Sequence, residues 1–521
     1  MRRTRRREIG SVGRYLEVFD MSKVDIRDLR DWLGDVEKLG EVTHITKEVD
    51  PHLEMGALTY LNGKNSEQTT LLFENPKGHK GDVRVLFNPI GNSMNRLSLA
   101  MRTVPGKTPI ELVQYIKEKF DEKIKPVSID PKDAPIFENV WMGDDIDLSY
   151  FPTPTHWVRD GGPYIGTADV IITQDPDSGR INLGTYRQMV EEKDRVGYYS
   201  SPGKDTLLDR EKWWAKGKPC PVVSVYGVDP LLFICAATGF PKQESEYDAA
   251  GGIQGSPVET VPGKITGLPI PARAELVIEG YSYPDGGREE GPFGEFTGYY
   301  GRPGLEQTPS IEIKAIYFRN QPIMTAALMA DHPSCEQNLF LSVMRGARVW
   351  RDLEACGIPG VQGVWSVPSA AGGFGMTVVS LKQMYAGHAQ QAAAIAAQCA
   401  GGAYFAKFIY VVDDDVDPSD LEQVIWAAST RCRVSEDIDI LRNTWSTYLD
   451  PSKNPNEERP YGSKALIYAC KEFKNIKSFS RRTALTTDQY ENALARWEEL
   501  GMPGRPPVIK VFDNPEEELH I

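Results

Sequence analysis

Cysteine is scarce in this chain of 521 residues, which has only seven, and no two of them have C-x-x-C spacing. This sparse, odd-numbered set argues against a disulfide framework and against a zinc site, so we expect reduced thiols in a cytoplasmic protein. Long apolar runs are also absent, and no stretch approaches the roughly 20 residues that cross a bilayer. We therefore expect no membrane partner.

Net positive charge is missing as well, because 59 Lys and Arg face 73 Asp and Glu and leave a formal net charge of −14. Nucleic-acid binding needs a basic field that displaces counterions from phosphates, so we expect no nucleic-acid partner. What the chain has is the composition of a globular protein, 40% hydrophobic and 25% charged. Its length predicts two to four domains of roughly 100–200 residues each.

Composition and turn residues divide the chain into four blocks. Residues 1–24 are basic with no apolar segment behind them, which predicts a disordered arm and no secretory signal, and Met21 offers an alternative start. Residues 25–130 are predicted to form an N-terminal α/β or α+β domain, and residues 131–321 a central β-barrel or sandwich. Residues 322–521 are predicted to form a C-terminal α/β domain.

Local patterns predict individual elements within these blocks. The N-terminal block has helices over 25–39, capped by Asp25, and over 109–119, capped by Thr108, with short strands at 41–45, 70–73 and 84–87. The central block has little helical periodicity and short strands at 166–173, 180–187, 222–226, 274–279 and 310–318. The C-terminal block alternates helices over 334–350, 383–400 and 419–430 with strands over 377–381 and 408–412, which predicts parallel pairing.

The most informative stretch for chemistry is Glu290-Gly291-Pro292-Phe293-Gly294-Glu295. Its glycines and proline favour a tight turn that would aim Glu290 and Glu295 into one pocket. Like charge and burial raise the pKa of a carboxyl group, which makes a glutamate a proton donor near neutral pH. By itself the pattern also fits a solvated acidic loop.

Four further stretches carry groups suited to ligands. In the first, Asn182 offers a hard oxygen, Gly184 a close backbone approach and Arg187 a fork for carboxylate or phosphate, although a surface arginine fits too. Residues 244–248 offer carboxylates for a hard cation, or simply an acidic helix N-terminus. Lys382 and His388, near a helix start, and the triplet 413–415 are more typical of exposed or structural positions.

Taken together, these stretches resemble the UbiD family of prenylated-FMN-dependent decarboxylases and carboxylases. The resemblance runs from about residue 25 to about residue 481 and rests on six ordered motifs, at 182–187, 245–247, 274–280, 290–300, 382–389 and 412–427. It implies an N-terminal α/β domain, a central split β-barrel like that of flavin reductases, and a C-terminal α/β domain with a role in dimerisation. That layout agrees with the blocks described above.

The resemblance also implies roles for single residues. Arg187, Glu290 and Glu295 match a Glu–Arg–Glu network beside the flavin, in which Glu295 would give a proton to the carbon that loses CO2. The other matches concern the cofactor and its ions. They are Asn182, Gly184, Thr185, Tyr186, Arg187, Glu246 and Lys382 for the flavin, Asn182 and Glu246 for a manganese or magnesium ion at its phosphate, and Thr167 for potassium.

One position departs from the family. Its members usually have a His shortly after the arginine as a third metal ligand, but no His lies between Arg187 and Trp213 here. Asp205 offers a hard oxygen in its place, which suits Mn2+ or Mg2+. Lys204 offers the alternative of neutralising the phosphate directly, with no metal ligand at this point.

The function that the resemblance implies is a reversible, non-oxidative decarboxylation. Loss of CO2 from an sp2 carbon needs an electron sink, which a covalent adduct with the prenylated flavin supplies. The substrate would be an aromatic or α,β-unsaturated carboxylic acid, free or as an aroyl-CoA, and a flavin prenyltransferase would provide the cofactor. We favour an aromatic acid because aromatic side chains flank the motifs, namely Tyr186, Phe293, Phe296 and Tyr299.

Two other functions fit parts of the pattern. One is an FMN-binding oxidoreductase, although no G-x-G-x-x-G follows a predicted strand. The other is a non-catalytic subunit of a decarboxylase complex, which the missing His favours and the presence of Arg187, Glu290 and Glu295 disfavours. The resemblance further implies a homodimer or a hexamer.

Overall fold

The computed structural model describes residues 26–79, 83–201, 203–301, 306–453, 461–509 and 511. The arm predicted over 1–24 and the N-cap predicted at Asp25 lie outside these residues. The first described helix begins after Asp28, whose side chain accepts a hydrogen bond from the backbone N–H of Asp31. No helix in this part of the chain combines the length and the apolar character needed to cross a membrane.

The elements are numbered in chain order. The helices are α1 (Leu29–Lys38), α2 (Glu54–Gly63), α3 (Met94–Ala100), α4 (Pro109–Lys119), α5 (Asp205–Ala215), α6 (Pro230–Ala237), α7 (Glu246–Gln254), α8 (Gln337–Ala355), α9 (His388–Gln398), α10 (Leu421–Arg431) and α11 (Thr487–Arg496). The strands are β1 (Val42–Ile45), β2 (Thr70–Phe73), β3 (Arg84–Phe87), β4 (Val127–Ser128), β5 (Asn139–Met142), β6 (Tyr164–Gly166), β7 (Asp169–Gln174), β8 (Ile181–Gly184), β9 (Gln188–Glu192), β10 (Arg195–Gly197), β11 (Cys220–Tyr226), β12 (Glu259–Pro262), β13 (Pro269–Pro271), β14 (Leu276–Ser282), β15 (Arg288–Glu290), β16 (Glu306–Thr308), β17 (Ser310–Phe318), β18 (Ile323–Ala326), β19 (Val361–Ser366), β20 (Met376–Leu381), β21 (Phe408–Asp413), β22 (Ile438–Trp445) and β23 (Tyr461–Ala469).

The N-terminal sheet has four strands in the order β1-β2-β3-β18. Strand β18 pairs in parallel with β3, so that Ile323 lies opposite Arg84. The predicted domain boundary at 321/322 therefore does not coincide with a break between sheets, and the division into domains stays a prediction. The predicted cap of α4 is confirmed, because Thr108 and Glu111 form a reciprocal capping box around Pro109.

The central sheet has nine strands, eight of them in the order β6-β9-β10-β17-β14-β11-β7-β8. The ninth, β5, pairs with the C-terminal part of β17, Ala315 to Phe318. The pairings along this order are antiparallel, and the sheet curls into a half-barrel that positions the site described below. The expectation of little helix in this block is wrong, because α5, α6 and α7 all lie within it. Helix α6 is buried on almost every side and so shows no amphipathic period.

The C-terminal sheet has five strands in the order β19-β20-β21-β23-β22. The predicted parallel pairing is confirmed for β20 and β21. Strand β23, which was not predicted, also pairs in parallel with β21, whereas both edge strands are antiparallel. Helix α9 begins at His388 and not near residue 383, because Gly387 has a φ of 82° in the left-handed region. The mixed α/β character expected from the sequence is thus present throughout.

Two predicted strands of the central block differ from the observed strands. The stretch 166–173 is divided between β6 and β7, and the stretch 180–187 ends as a strand at Gly184. Residues 185–187 therefore form a connection between β8 and β9. This break takes Arg187 out of the regular ladder and leaves its side chain free to meet groups from another part of the chain.

Candidate active site

Arg187 joins the two glutamates that the sequence singled out. Its Nε and Nη2 donate to Glu290 Oε1 and Oε2 at 2.9 and 2.8 Å, and its Nη1 donates to Glu295 Oε1 at 2.7 Å. Both carboxyl groups are buried, at 4% and 9% exposure. The sequence therefore brings Arg187, Glu290 and Glu295 together across more than 100 residues, and the alternative of a solvated acidic loop is wrong.

A tight turn connects the two glutamates that bind Arg187. Glu290 ends β15, Gly291 follows with a φ of 87°, and Gly294 then bridges to Tyr300. The backbone N–H of Gly294 also donates to Asp160 at 3.0 Å, and the N–H of Glu295 donates to the carbonyl of Tyr299 at 2.9 Å. The turn predicted from the glycines is thus present, with Asp160 fixing it from outside.

The charges of this group shift each other's titration. Burial raises the pKa of Glu295, the nearby Arg187 charge opposes that rise, and the Glu290 charge adds to it. Burial by itself would lower the pKa of Arg187, but the charges of Glu295 and Glu290 outweigh it and keep the guanidinium protonated. The net effect is that the pKa of Glu295 lies above its ordinary value.

The rings of Tyr199 and Phe293 lie against Arg187, and the hydroxyl of Tyr164 binds its partner Glu290. Its guanidinium carbon lies 4.3 Å from the ring centre of Tyr199 and 5.2 Å from that of Phe293, a stacking arrangement that favours arginine. Tyr164 donates from its hydroxyl to Glu290 Oε1 at 2.7 Å. Burial and the charge of Glu290 raise the pKa of that phenol, so Tyr164 remains a donor.

A cavity of about 210 Å3 lies against Arg187 and Glu295. Most of its remaining wall is apolar or aromatic, as is usual for small-molecule sites. These lining residues include Tyr199, Phe293, Phe296, Met329, Leu341, Phe374, Tyr404 and Leu449. A second cavity of about 490 Å3 shares Tyr199, Ser201, Tyr404 and Leu449 with the first and adds the polar stretch 443–448.

Polar groups on this wall fit a flavin. Asp169 lines the cavity with a buried Oδ2 that has no hydrogen-bond partner among the described residues, and burial raises the pKa of this carboxyl well above its ordinary value. A buried polar atom without a protein partner is satisfied by ligand or water. Thr167, Thr185, Tyr186 and Lys204 line the same cavity and add further donors; the resemblance implies flavin contacts for Thr185 and Tyr186 and a potassium contact for Thr167.

The residues expected to hold a divalent metal lie behind this wall and meet a different cation. Asn182 donates to the hydroxyl of Thr173 at 3.3 Å, and Glu246 Oε2 accepts from the backbone N–H of Leu183 at 2.8 Å. Asp205 and Glu246 both face Arg180, whose Nη1 lies 3.2 Å from Asp205 Oδ2 and whose Nη2 lies 3.5 Å from Glu246 Oε1.

This donor set does not fit a divalent ion. A guanidinium already faces both carboxylates, and it would repel a second cation placed between them. Among the residues that the structure describes, no group of three or more His, Cys, Asp or Glu is arranged to hold a metal. The sequence expectation of Mn2+ or Mg2+ at Asn182, Asp205 and Glu246 is therefore without support from the geometry.

Other candidates lie outside the cavity. Lys382 follows β20 and is exposed, so the structure does not bring it to Arg187. His388 is buried, and its Nδ1 accepts from the backbone N–H of Met384 at 3.1 Å. Asp413 and Asp415 are also buried and share the Nη1 of Arg431 at 2.7 Å each, so a buried ion pair replaces the solvated strand end that we expected.

Several residues of the site have no signal in the sequence. Tyr164, Asp160 and Asp169 meet the trio or the cavity only after the central sheet has folded, and each looks like an ordinary strand or turn residue. Arg180, at the end of a turn, resembles a surface arginine. Lys204 is different, because its place beside the position where the expected His is absent marks it in the sequence as a candidate.

Comparison with known proteins places these features in a family. Three domain models of 3-octaprenyl-4-hydroxybenzoate carboxy-lyase match the chain: the UbiD N-terminal domain at residues 33–116, the Rift-related domain at 127–332 and the C-terminal domain at 338–469. Phenolic acid decarboxylase of Bacillus subtilis (strain 168) is 32% identical over 440 residues, which are 82% of this chain and 90% of that protein.

Solved structures agree with the family models. HmfF, a UbiD-class enzyme from Pelotomaculum thermopropionicum in complex with FMN, superimposes with a TM-score of 0.78 at 28% identity and covers 88% of this chain and 98% of its own. Vanillic acid decarboxylase from Sedimentibacter hydroxybenzoicus in its closed form gives 0.80 at 28% identity and covers 91% and 99%. With family models over most of its length, the chain belongs to the UbiD family and is a carboxy-lyase.

Proposed function

We propose that this carboxy-lyase decarboxylates an aromatic carboxylic acid with prenylated FMN as its cofactor and Glu295 as its proton donor. The observation that carries the proposal is the contact of Arg187 with both Glu290 and Glu295 at 2.7–2.9 Å on the wall of an aromatic cavity. The similar proteins named above include phenolic and vanillic acid decarboxylases and an enzyme solved with FMN, which supports the proposal.

The residues of the chain divide the work among themselves. When bound, the prenylated flavin supplies the electron sink that loss of CO2 from an sp2 carbon needs. Arg187 uses three of its five N–H groups on the glutamates, which leaves the others for the substrate carboxylate. Glu295 is the proposed acid: burial raises its pKa, which favours the protonated form, and it delivers a proton to the carbon left by CO2.

The cavity wall supports an aromatic substrate. Phe296 and Phe374 have ring centres 5.3 Å apart, and Phe374 and Tyr404 have ring centres 5.7 Å apart, so together they form an aromatic surface. Aromatic rings favour offset or edge contacts with another ring and exclude water from it. The second cavity gives room for a larger substituent, so an aroyl-CoA belongs in the set of test substrates.

The test uses the full chain produced together with a flavin prenyltransferase. Hydroxybenzoic acids, other aromatic acids, α,β-unsaturated acids and an aroyl-CoA are assayed for CO2 release. Glu295→Gln should lower turnover by about 10²–10⁴-fold, since it removes the proton donor. The matched control is Glu289→Gln, which changes an exposed neighbour and should leave turnover intact. Full turnover by Glu295→Gln would show that the proposed acid is wrong.

We also propose that two copies associate through the C-terminal unit. Strand β22 is the outer strand of its sheet and exposes Ile440 by 47% and Trp445 by 61%, next to Tyr461 at 59%. Exposed apolar side chains on an unpaired sheet edge favour self-association. Light scattering should give a dimer or a hexamer for the wild type and smaller particles for Trp445→Asp, and a monomeric wild type would contradict the proposal.

A further inference from the structure

Arg180 is a cation built into the place where the family resemblance expects a metal. It precedes β8, and its side chain is only 14% exposed. Nη1 pairs with Asp205 at 3.2 Å, Nη2 faces Glu246 at 3.5 Å, and Nε donates to the carbonyl of Glu244 at 3.0 Å. Nη1 and Nε thus donate hydrogen bonds to Asp205 and Glu244, whereas Nη2 lies within ion-pair distance of Glu246 and forms no hydrogen bond with the described residues.

This arrangement changes the charge of the site. Two carboxylates without a cation would attract a divalent ion, but here Arg180 already supplies a positive charge beside both of them. Glu246 is committed further, because its other oxygen accepts from the backbone N–H of Leu183. A metal would have to displace the guanidinium, and the hydrogen bonds from Arg180 to Asp205 and Glu244 would then be lost. Hydrogen bonds of a charged group are stronger than those between neutral groups.

Lys204 supplies positive charge on the cavity side of the same region. It lines the cavity, with its Nζ 5.7 Å from the ring centre of Tyr404, and no described carboxylate forms an ion pair with it. Its sequence neighbour Asp205 is the one that Arg180 holds. Arg345 lies behind Phe374 at 4.6 Å from the ring centre, and its buried Nε has no partner among the described residues. The cavity therefore presents the ammonium group of Lys204 on its wall, which suits an anion.

We propose that Arg180 takes the place of a divalent metal beside Asp205 and Glu246, and that the phosphate of the flavin is bound by Lys204 with no metal bridge. The inference rests on the proposed function, because it concerns how the same flavin is held. It assigns a role to a residue that the family resemblance does not mark.

The first experiment compares FMN with riboflavin, which differ by the phosphate. The full chain, purified without the prenyltransferase, is titrated with each flavin by fluorescence, with EDTA or with added MnCl2. The FMN affinity should be the same in both buffers. An FMN affinity that EDTA lowers and Mn2+ restores would overturn the inference and leave the proposed function standing. If neither flavin binds in either buffer, the proposed function fails and the inference falls with it.

The second experiment tests the two cations by substitution. Lys204→Gln should weaken FMN binding by about tenfold or more, since it removes a charged hydrogen-bond donor, and should leave riboflavin binding unchanged. Lys218→Gln, which changes an exposed lysine after α5, is the matched control and should bind both flavins as the wild type does. Equal FMN affinities for Lys204→Gln and Lys218→Gln would overturn the role of Lys204.

Mn2+ alone probes Arg180, with the free ion measured by electron paramagnetic resonance. Arg180→Gln releases Asp205 and Glu246 and should bind Mn2+ at least about tenfold more tightly than the wild type. Arg180→Lys keeps the charge and should stay close to the wild type, which guards against a variant that only unfolds. Stoichiometric, tight Mn2+ binding by the wild type would overturn the inference, as would equal Mn2+ affinities in the wild type and in folded Arg180→Gln.

Discussion

Arg187→Lys keeps the positive charge at this position but replaces the planar guanidinium with an ammonium group. The guanidinium makes three hydrogen bonds to two carboxyl groups and stacks between two rings, whereas an ammonium is a point charge that reaches one carboxylate well. A hydrogen bond to a charged group contributes about 1.5–3 kcal/mol, so losing two of the three costs about 3–6 kcal/mol before the site relaxes. Part of that cost should appear in stability and part in the position of Glu295.

Two measurements follow on the enzyme loaded with prenylated flavin. We expect the thermal unfolding midpoint to fall by at least about 2 °C and kcat to fall by at least about 100-fold, because a small displacement of a catalytic group costs that much. Arg288→Lys is the control, since Arg288 is exposed and lies two residues before Glu290. A kcat for Arg187→Lys within about twofold of the control value would refute the reasoning.

Three further predictions concern single groups. Because burial raises the pKa of Glu295 and only its protonated form donates, kcat should fall as pH rises through that pKa, and a rate that increases from about pH 5 to 8 would contradict its role. Lys464→Met removes buried hydrogen bonds to carbonyls at the end of α9 and should lower the thermal midpoint, unlike Lys474→Met on the surface; equal midpoints would count against this reading. Gly387 has a φ of 82° and open space around it, so Gly387→Ala should lower the free energy of unfolding by about 1–2 kcal/mol in a urea titration. Gly34→Ala, inside α1, should instead raise it by up to about 1 kcal/mol. Changes of the same sign in both variants would contradict this expectation.

Elements with a strong local pattern were predictable. The buried strand predicted over 408–412 is present as β21, and the capping box at Thr108 was readable from the residue types alone. Helix α6 was missed because all but the last of its residues are buried, which removes the polar face that marks a helix. The register of β18 beside β3 was also beyond prediction, since pairing between distant strands depends on tertiary packing and not on local propensity.

The active site also contains residues whose roles depend on tertiary packing and could not be predicted from local sequence. Glu290 and Glu295, five residues apart, were found because the glycines and the proline between them restrict the backbone. Arg187 was found because a guanidinium suits a carboxylate or phosphate, and the family resemblance then implied its role. Asp160 and Tyr164 carry no such mark, because their roles consist of single hydrogen bonds to residues more than 100 positions away. Arg180 was missed for a different reason, since its partners Asp205 and Glu246 were themselves interpreted as ligands of another cation.

The position of β18 has a consequence for how the protein is made. While the chain is being synthesised, β3 emerges early, but the strand that completes its side of the sheet follows only after the whole central block has been translated. Until then the nascent protein exposes an unpaired edge that can recruit strands from other molecules. Fragments that end before residue 323 should therefore aggregate during expression, and a version of the first unit made for study alone needs this strand grafted onto it.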